Sequence, residues 1–141
     1  MSTSAAMPAH GPREPRPVLL VEDNHLNQMV AEGMLRLFGH AARVVPDGLE
    51  ALRELHAGDY EIVLMDVHMP GLDGFEATRR VRAELSADRQ PYIIALTANA
   101  MAGDEQRCRD AGMDDYVSKP LTKDGLRAAL ERAVRARRSA H

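Results

Sequence analysis

Short, unbroken apolar runs alternate along this chain with stretches whose apolar residues recur every three or four positions, and the alternation repeats five times without a self-similar sequence repeat. Runs of strand length fall at 18–21, 42–45, 61–65, 92–96 and 115–117. The first, Val18-Leu19-Leu20-Val21, has no polar alternation, as expected of a strand covered by helices on both faces. The helical stretch after it carries Leu26, Met29, Val30, Gly33 and Leu37 at three- and four-residue spacing, a stripe predicted to face the core, with Gly39 as C-terminal cap. Pro46-Asp47-Gly48 turns the chain, Asp47 offers a cap, and Leu49, Leu52 and Leu55 predict a second helix closed by Gly58. The turn-rich Met69-Pro70-Gly71-Leu72-Asp73-Gly74 leads into a third helix through Phe75, Val81 and Leu85. A fourth is expected over 99–110 before Gly112, and Leu126, Ala129, Leu130 and Val134 mark a fifth. Five βα units predict an α/β domain built on a parallel sheet.

A length of 141 residues with 45% hydrophobic content fits one domain with one real core. The segment 1–16 holds Pro8, Pro12 and Pro15 with Ser2, Ser4 and Gly11, lacks the apolar centre of a signal peptide, and reads as a disordered leader or linker. The folded domain is expected over 17–138, with 139–141 as a tail. With 18 basic and 21 acidic side chains the formal charge is only -3, which gives no reason to expect nucleic acid or a membrane surface as partner. No apolar run approaches the ~18 residues needed to span a bilayer. Cys108 is the single cysteine and cannot form an intramolecular disulfide, so a reducing, cytoplasmic setting is expected. It lies in the polar stretch Gln106-Arg107-Cys108-Arg109, which reads as exposed helix surface. The histidines His10, His25, His40, His56, His68 and His141 show no zinc-ligand spacing. Arginines 127, 132, 135, 137 and 138 suit a solvated helix face near its C-terminus.

The chemistry is concentrated where strands end. In an open parallel sheet, residues at the carboxyl ends of strands converge although distant in sequence. The first strand ends in Glu22-Asp23, the third in Asp66, the fourth in Thr97, and the fifth is followed by Lys119. Two carboxylates ~4 Å apart repel by about 4 kcal/mol at an effective dielectric of 20, so three converging acids require compensation. A magnesium ion, which takes oxygen ligands from one or two carboxylates, water and phosphate, would supply it. Lys119 adds a point charge and Thr97 a hydroxyl donor. This set suits attack by the Asp66 carboxylate on phosphorus. Singly, each has a plainer reading: Glu22-Asp23 as acids at a helix N-terminus, Lys119 as a solvated lysine, and Thr97 as a strand-end hydroxyl.

Four ordered blocks carry a family resemblance: Leu20-Val21-Glu22-Asp23-Asn24, the run from Leu64-Met65-Asp66 to Leu72-Asp73-Gly74, Ile94-Ala95-Leu96-Thr97-Ala98, and Tyr116-Val117-Ser118-Lys119-Pro120. Through them the chain resembles the response-regulator receiver domains of two-component signalling over about 17–137. The resemblance implies a flavodoxin-like (βα)5 doubly wound fold, five parallel strands in the order 2-1-3-4-5. It implies phosphorylation of Asp66 and a Mg2+ or Mn2+ ion held by Asp23, Asp66, the backbone carbonyl of His68, and Glu22 through water. Thr97 and Lys119 would bind phosphoryl oxygens. Thr97 and Tyr116 would act as switch residues that remodel the surface of the fourth helix, fifth strand and fifth helix. A cis Lys119-Pro120 bond is also implied. His68, two residues after Asp66, stands where its side chain would border the phosphoryl group.

The function expected is a phosphoacceptor module that catalyses its own modification, receives phosphate from a histidine kinase or histidine-phosphotransfer partner, and acts by docking downstream. Homodimerisation on phosphorylation is left open. The motif beginning Glu22-Asp23-Asn24-His25 and the run Thr97-Ala98-Asn99-Ala100-Met101 resemble receivers of hybrid histidine kinases, so a stand-alone phosphorelay receiver and a piece of a hybrid kinase are both compatible. Two alternatives belong to other classes. One is a constitutive, unphosphorylated docking module; the other is a haloacid-dehalogenase-type phosphatase, which would need a second aspartate where His68 stands.

Overall fold

The computed structural model describes residues 17–98 and 103–139; the expected leader and the Asn99-Ala100-Met101 motif lie outside the described residues. Strands β1 (Val18–Val21), β2 (Ala42–Val45), β3 (Ile62–Asp66), β4 (Tyr92–Thr97) and β5 (Asp115–Ser118) alternate with helices α1 (His25–Leu37), α2 (Gly48–Ala57), α3 (Gly74–Glu84), α4 (Asp104–Ala111) and α5 (Lys123–Ser139). All neighbouring strands are parallel, in the order β2-β1-β3-β4-β5, as expected. No helix among the described residues is long and apolar enough to cross a membrane.

The pleat divides the core into two layers. Leu19, Val21, Val63, Met65, Ile93 and Ala95 face α2, α3 and α4, where Leu52, Leu55, Phe75 and Val81 are buried. Val18, Leu20, Leu64, Ile94 and Leu96 face α1 and α5, where Ala31, Leu35, Leu126, Ala129 and Leu130 are buried. Both faces being covered explains the unbroken aliphatic strands. Asn24, Asp47 and Asp73 cap α1, α2 and α3, each side chain accepting a backbone N–H three residues on.

Two sequence-level expectations are corrected by this packing. The stripe predicted to bury α1 is its solvent face: Leu26, Met29 and Leu37 are 66%, 58% and 61% exposed, Val30 is also exposed, and a Cβ on Gly33 would meet open space. The helix instead buries Ala31 and Leu35, flanked by Met34 and Phe38, a second series with the same spacing. Periodicity could not choose between two such stripes, and the small Ala31 side chain lets the helix lie close to the sheet. On α2, Leu52 and Leu55 are buried with Ala51, whereas Leu49 is exposed. Cys108 is the second kind of correction, being 2% exposed on the inner face of α4. Its flanking polar residues sit on the outer turns of the helix.

Polar side chains without any motif tie the layers together. The Arg82 guanidinium donates to the carbonyls of Gly112 and Pro91, to Gln90 and to Asp114, joining α3 to the segments on either side of β4. Arg89, in a short 3-10 turn at Ala87–Arg89, donates to the carbonyls of Leu55, His56 and Gly58 and so satisfies the C-terminal end of α2. Of the C-terminal arginines, Arg132 chelates Asp115 at 2.7 and 3.2 Å, and Arg137 donates to the carbonyl of Gln90.

Candidate functional site: an acidic pocket at the strand ends

The carboxyl ends of β1, β3 and β4 lie side by side, with Val21 opposite Met65 and Asp66 opposite Leu96. Glu22, Asp23 and Asp66 therefore meet although 43 positions separate Asp66 from Asp23, and one carboxylate oxygen from each lies within 4.8 Å of the others. Glu22 and Asp66 are buried, while Asp23 is exposed at the mouth. Lys119, from the turn after β5, spans the pocket and donates to Glu22 Oε1 at 2.9 Å and Asp66 Oδ2 at 3.0 Å. Its backbone N–H donates to the Thr97 carbonyl at 2.8 Å, which anchors the lysine to the end of β4, and the bond that follows, Lys119-Pro120, is cis.

Electrostatics follow from that geometry. Burial disfavours the charge on Lys119, but the hydrogen bonds and charges of Glu22 and Asp66 outweigh it and hold the ammonium above its ordinary pKa. The remaining oxygens are also engaged. Asp66 Oδ1 accepts the His68 backbone N–H at 3.1 Å, and Glu22 Oε2 accepts the Asn24 backbone N–H at 3.1 Å. Gln28 reaches back from α1 to the Glu22 carbonyl at 2.7 Å. The loop after Asp66 is pressed close by α3: a Cβ on Gly74 would come within 2.3 Å of the Asp66 carbonyl oxygen, so only glycine fits there.

Thr97 is fully buried at the end of β4, and its hydroxyl donates to Asp104 Oδ2 at 2.6 Å. The same oxygen meets His68 Nε2 at 2.9 Å, so the His68 side chain turns toward α4, edge-on to Phe75. Burial pushes the Asp104 carboxyl up, yet the hydrogen bonds from Thr97 and His68 and the nearby positive charge bring it below its ordinary value. Tyr116, half-buried, donates to Glu105 Oε1 at 3.1 Å, and that hydrogen bond raises its phenol. Glu22, Asp23, Asp66 and Lys119 thus meet in one pocket, whereas the hydroxyls of Thr97 and Tyr116 are turned to the start of α4. Asp104 and Glu105 were missed, since two acids opening a helix carry an ordinary dipole explanation.

A donor set of three carboxylates, all oxygen and within reach of one centre, fits a hard divalent cation such as magnesium. Beside it lies a cavity of about 150 Å³ lined by Glu22, Asn27, Val30, Leu96, Lys119 and Leu121, which connects the pocket to the exposed face of α1.

Comparison with known proteins places this arrangement. The model of the response regulator receiver domain matches residues 18–131. Histidine kinase 5 of Arabidopsis thaliana is 38% identical over 140 residues, which cover 81% of this chain and 15% of that protein, so the chain spans only a small part of this relative. The receiver domain of a sensor histidine kinase from Pseudomonas aeruginosa, solved with magnesium coordinated in its active-site cleft, is 45% identical, with a TM-score of 0.77 covering 85% of this chain and 98% of that one. The receiver domain of Saccharomyces cerevisiae Ssk1, solved with the histidine phosphotransfer protein Ypd1, is 27% identical, with a TM-score of 0.72 covering 85% of this chain and 87% of that one. By motif, topology and site, this chain belongs to the response regulator receiver domain family.

Proposed function

We propose that Asp66 is the phosphoacceptor, and that the receiver unit runs over 17–138. The observation that carries this reading is a buried carboxylate at the end of the central strand, bridged by Lys119 and grouped with Glu22 and Asp23. A phosphohistidine of a histidine kinase or histidine-phosphotransfer protein is the donor. One Asp66 oxygen forms the new P–O bond as the P–N bond to the donor imidazole breaks, leaving the electron pair on that nitrogen. Asp23, Asp66 and the His68 carbonyl, with Glu22 through water, would hold Mg2+ or Mn2+. When bound, the ion offsets negative charge on the transferring group.

The chain's own residues do the rest. Lys119 exchanges its contacts with Glu22 and Asp66 for a phosphoryl oxygen. Thr97 donates its hydroxyl to a second oxygen, and Tyr116 turns inward, which remodels the α4-β5-α5 surface where a downstream protein docks. The module catalyses this self-modification and its hydrolysis in the cytoplasm, within a phosphorelay or a hybrid histidine kinase. The donor is proposed to seat a helix on the exposed Leu26, Met29 and Val30 face of α1. That face is continuous, through the cavity at Val30, with Glu22 and Lys119 of the pocket. A relative solved with a phosphotransfer protein supports this class of donor.

Intact mass after incubation with magnesium and acetyl phosphate tests the reading. One labile phosphoryl adduct is expected, absent in Asp66→Asn and after chelation. No adduct, together with no binding of beryllofluoride, leaves the constitutive docking module as the better account.

A further inference from the structure

The geometry points to a latch: Asp104 and Glu105, consecutive acids opening α4, hold the hydroxyls of Thr97 and Tyr116 in the resting arrangement, and phosphorylation must break that hold. This inference rests on the phosphoacceptor reading and deepens it by assigning its regulation. Asp104 is a positioning residue, acting through Thr97.

Hydrogen bonding, burial and capping carry it together. Thr97 has one hydroxyl hydrogen, and it is directed to Asp104 Oδ2 at 2.6 Å, so the same hydrogen cannot serve a phosphoryl oxygen at the same time. The acceptor is a carboxylate only 3% exposed, and such a group needs its donors because an unmatched buried charge is costly. Two cationic or hydrogen-bonding partners flank it: His68 Nε2 lies 2.9 Å from the same oxygen and Arg107 lies 3.6 Å from the other, with the guanidinium 4.2 Å above the Phe75 ring. One residue on, Glu105 accepts the Tyr116 hydroxyl at 3.1 Å and is paired through its second oxygen with Arg109. A plain helix-start acid would cap its own helix, but the N-cap here is Gly103, with φ of +91° and no side-chain cap bond. The carboxylates instead reach across to β4 and β5. The two hydroxyls assigned to switching are therefore restrained by one turn of one helix, which makes their release a coupled event.

A charge-assisted hydrogen bond is about twice as strong as a neutral one, so Asp104→Asn keeps the size and an acceptor oxygen but weakens the hold on Thr97. Beryllofluoride binding to the full chain in magnesium, followed by amide NMR, is the test. Asp104→Asn is expected to bind this phosphoryl mimic roughly fivefold more tightly, and Glu105→Gln less than that. The gain is expected to vanish when Asp104→Asn is placed on Thr97→Val, because the effect travels through that hydroxyl. A purely structural Asp104 would give the same change with or without Thr97. Unchanged or weaker binding by a well-folded Asp104→Asn, or a gain that persists on Thr97→Val, overturns the latch. If Asp104→Asn does not fold, the Asp104 carboxyl 13C shift in the unmutated chain decides: it must move when the mimic binds, and constancy overturns the proposal. Failure of the unmutated chain to bind the mimic overturns the phosphoacceptor reading and the latch together, whereas binding without the Asp104→Asn gain overturns the latch alone.

Discussion

Lys119 resolves at the level of single atoms a problem set by the strand ends. Its ammonium stands between Glu22 and Asp66, at 2.9 and 3.0 Å, so the apo pocket carries its own counter-charge and part of the cost of gathering acids is already offset. In the proposed reaction an incoming phosphoryl oxygen competes with these two carboxylates for the same ammonium. Cys108 shows the opposite use of burial. With no positive group strong enough to favour the thiolate, burial pushes its thiol up to about 11. Because the neutral form is favoured in the fold and the unfolded thiol ionises near its ordinary value, this residue contributes stability that is lost as pH rises from about 8.5 toward 11. At pH 8 the native protein is expected to react with a thiol reagent far more slowly than the urea-unfolded chain. Equal rates in the two states would contradict the buried placement. Nothing in Gln106-Arg107-Cys108-Arg109 signals this, because a single apolar side chain in a polar turn has no periodicity to be read against.

At the scale of elements, α1 and α4 carry what is specific to this chain. α1 has apolar residues on two faces, only one of which meets the sheet; the other leaves Leu26, Met29, Val30 and Leu37 in solvent, with Val30 lining the cavity beside Glu22 and Lys119. If that face seats the donor, Leu26→Asp with Val30→Asp is expected to slow phosphotransfer from a histidine-phosphotransfer protein at least tenfold, about 1.4 kcal/mol or more of lost docking, while leaving acetyl phosphate labelling intact. Parallel losses with both donors would instead place the damage in the pocket. α4 was the least legible helix. Residues 99–102 of the expected 99–110 lie outside the described residues, and most side chains of Asp104–Ala111 are polar, so neither its buried face nor the reach of Asp104 and Glu105 toward β4 and β5 could be inferred from spacing. The strands were legible for a physical reason: burial on both faces leaves only aliphatic residues, and the run stops where acids or hydroxyls begin.

For the whole molecule, the acceptor site couples the ends of β1, β3 and β4 with the turn after β5, so whatever binds there ties the sheet together. A cation that binds only the folded state stabilises it by about 2.7 kcal/mol at a hundredfold excess over its dissociation constant. Thermal unfolding is therefore expected to shift upward with millimolar magnesium, to return on chelation, and to lose most of the shift in Asp23→Asn, whose exposed carboxylate at the mouth of the pocket is one of the three proposed to hold the ion. A melting curve insensitive to magnesium would remove the metal from the site. The order of βα units, the doubly covered sheet and the chemical character of each strand end were set by sequence alone, because hydrophobic period and chain reversal are local properties and the parallel sheet follows from them. The tertiary structure alone decided which of two stripes on α1 is buried, where Cys108 points, and that Asp104 and Glu105 hold Thr97 and Tyr116. Each of those depends on which surface a helix presents to neighbours distant in sequence, and a spacing of three or four residues is the same whichever surface that is.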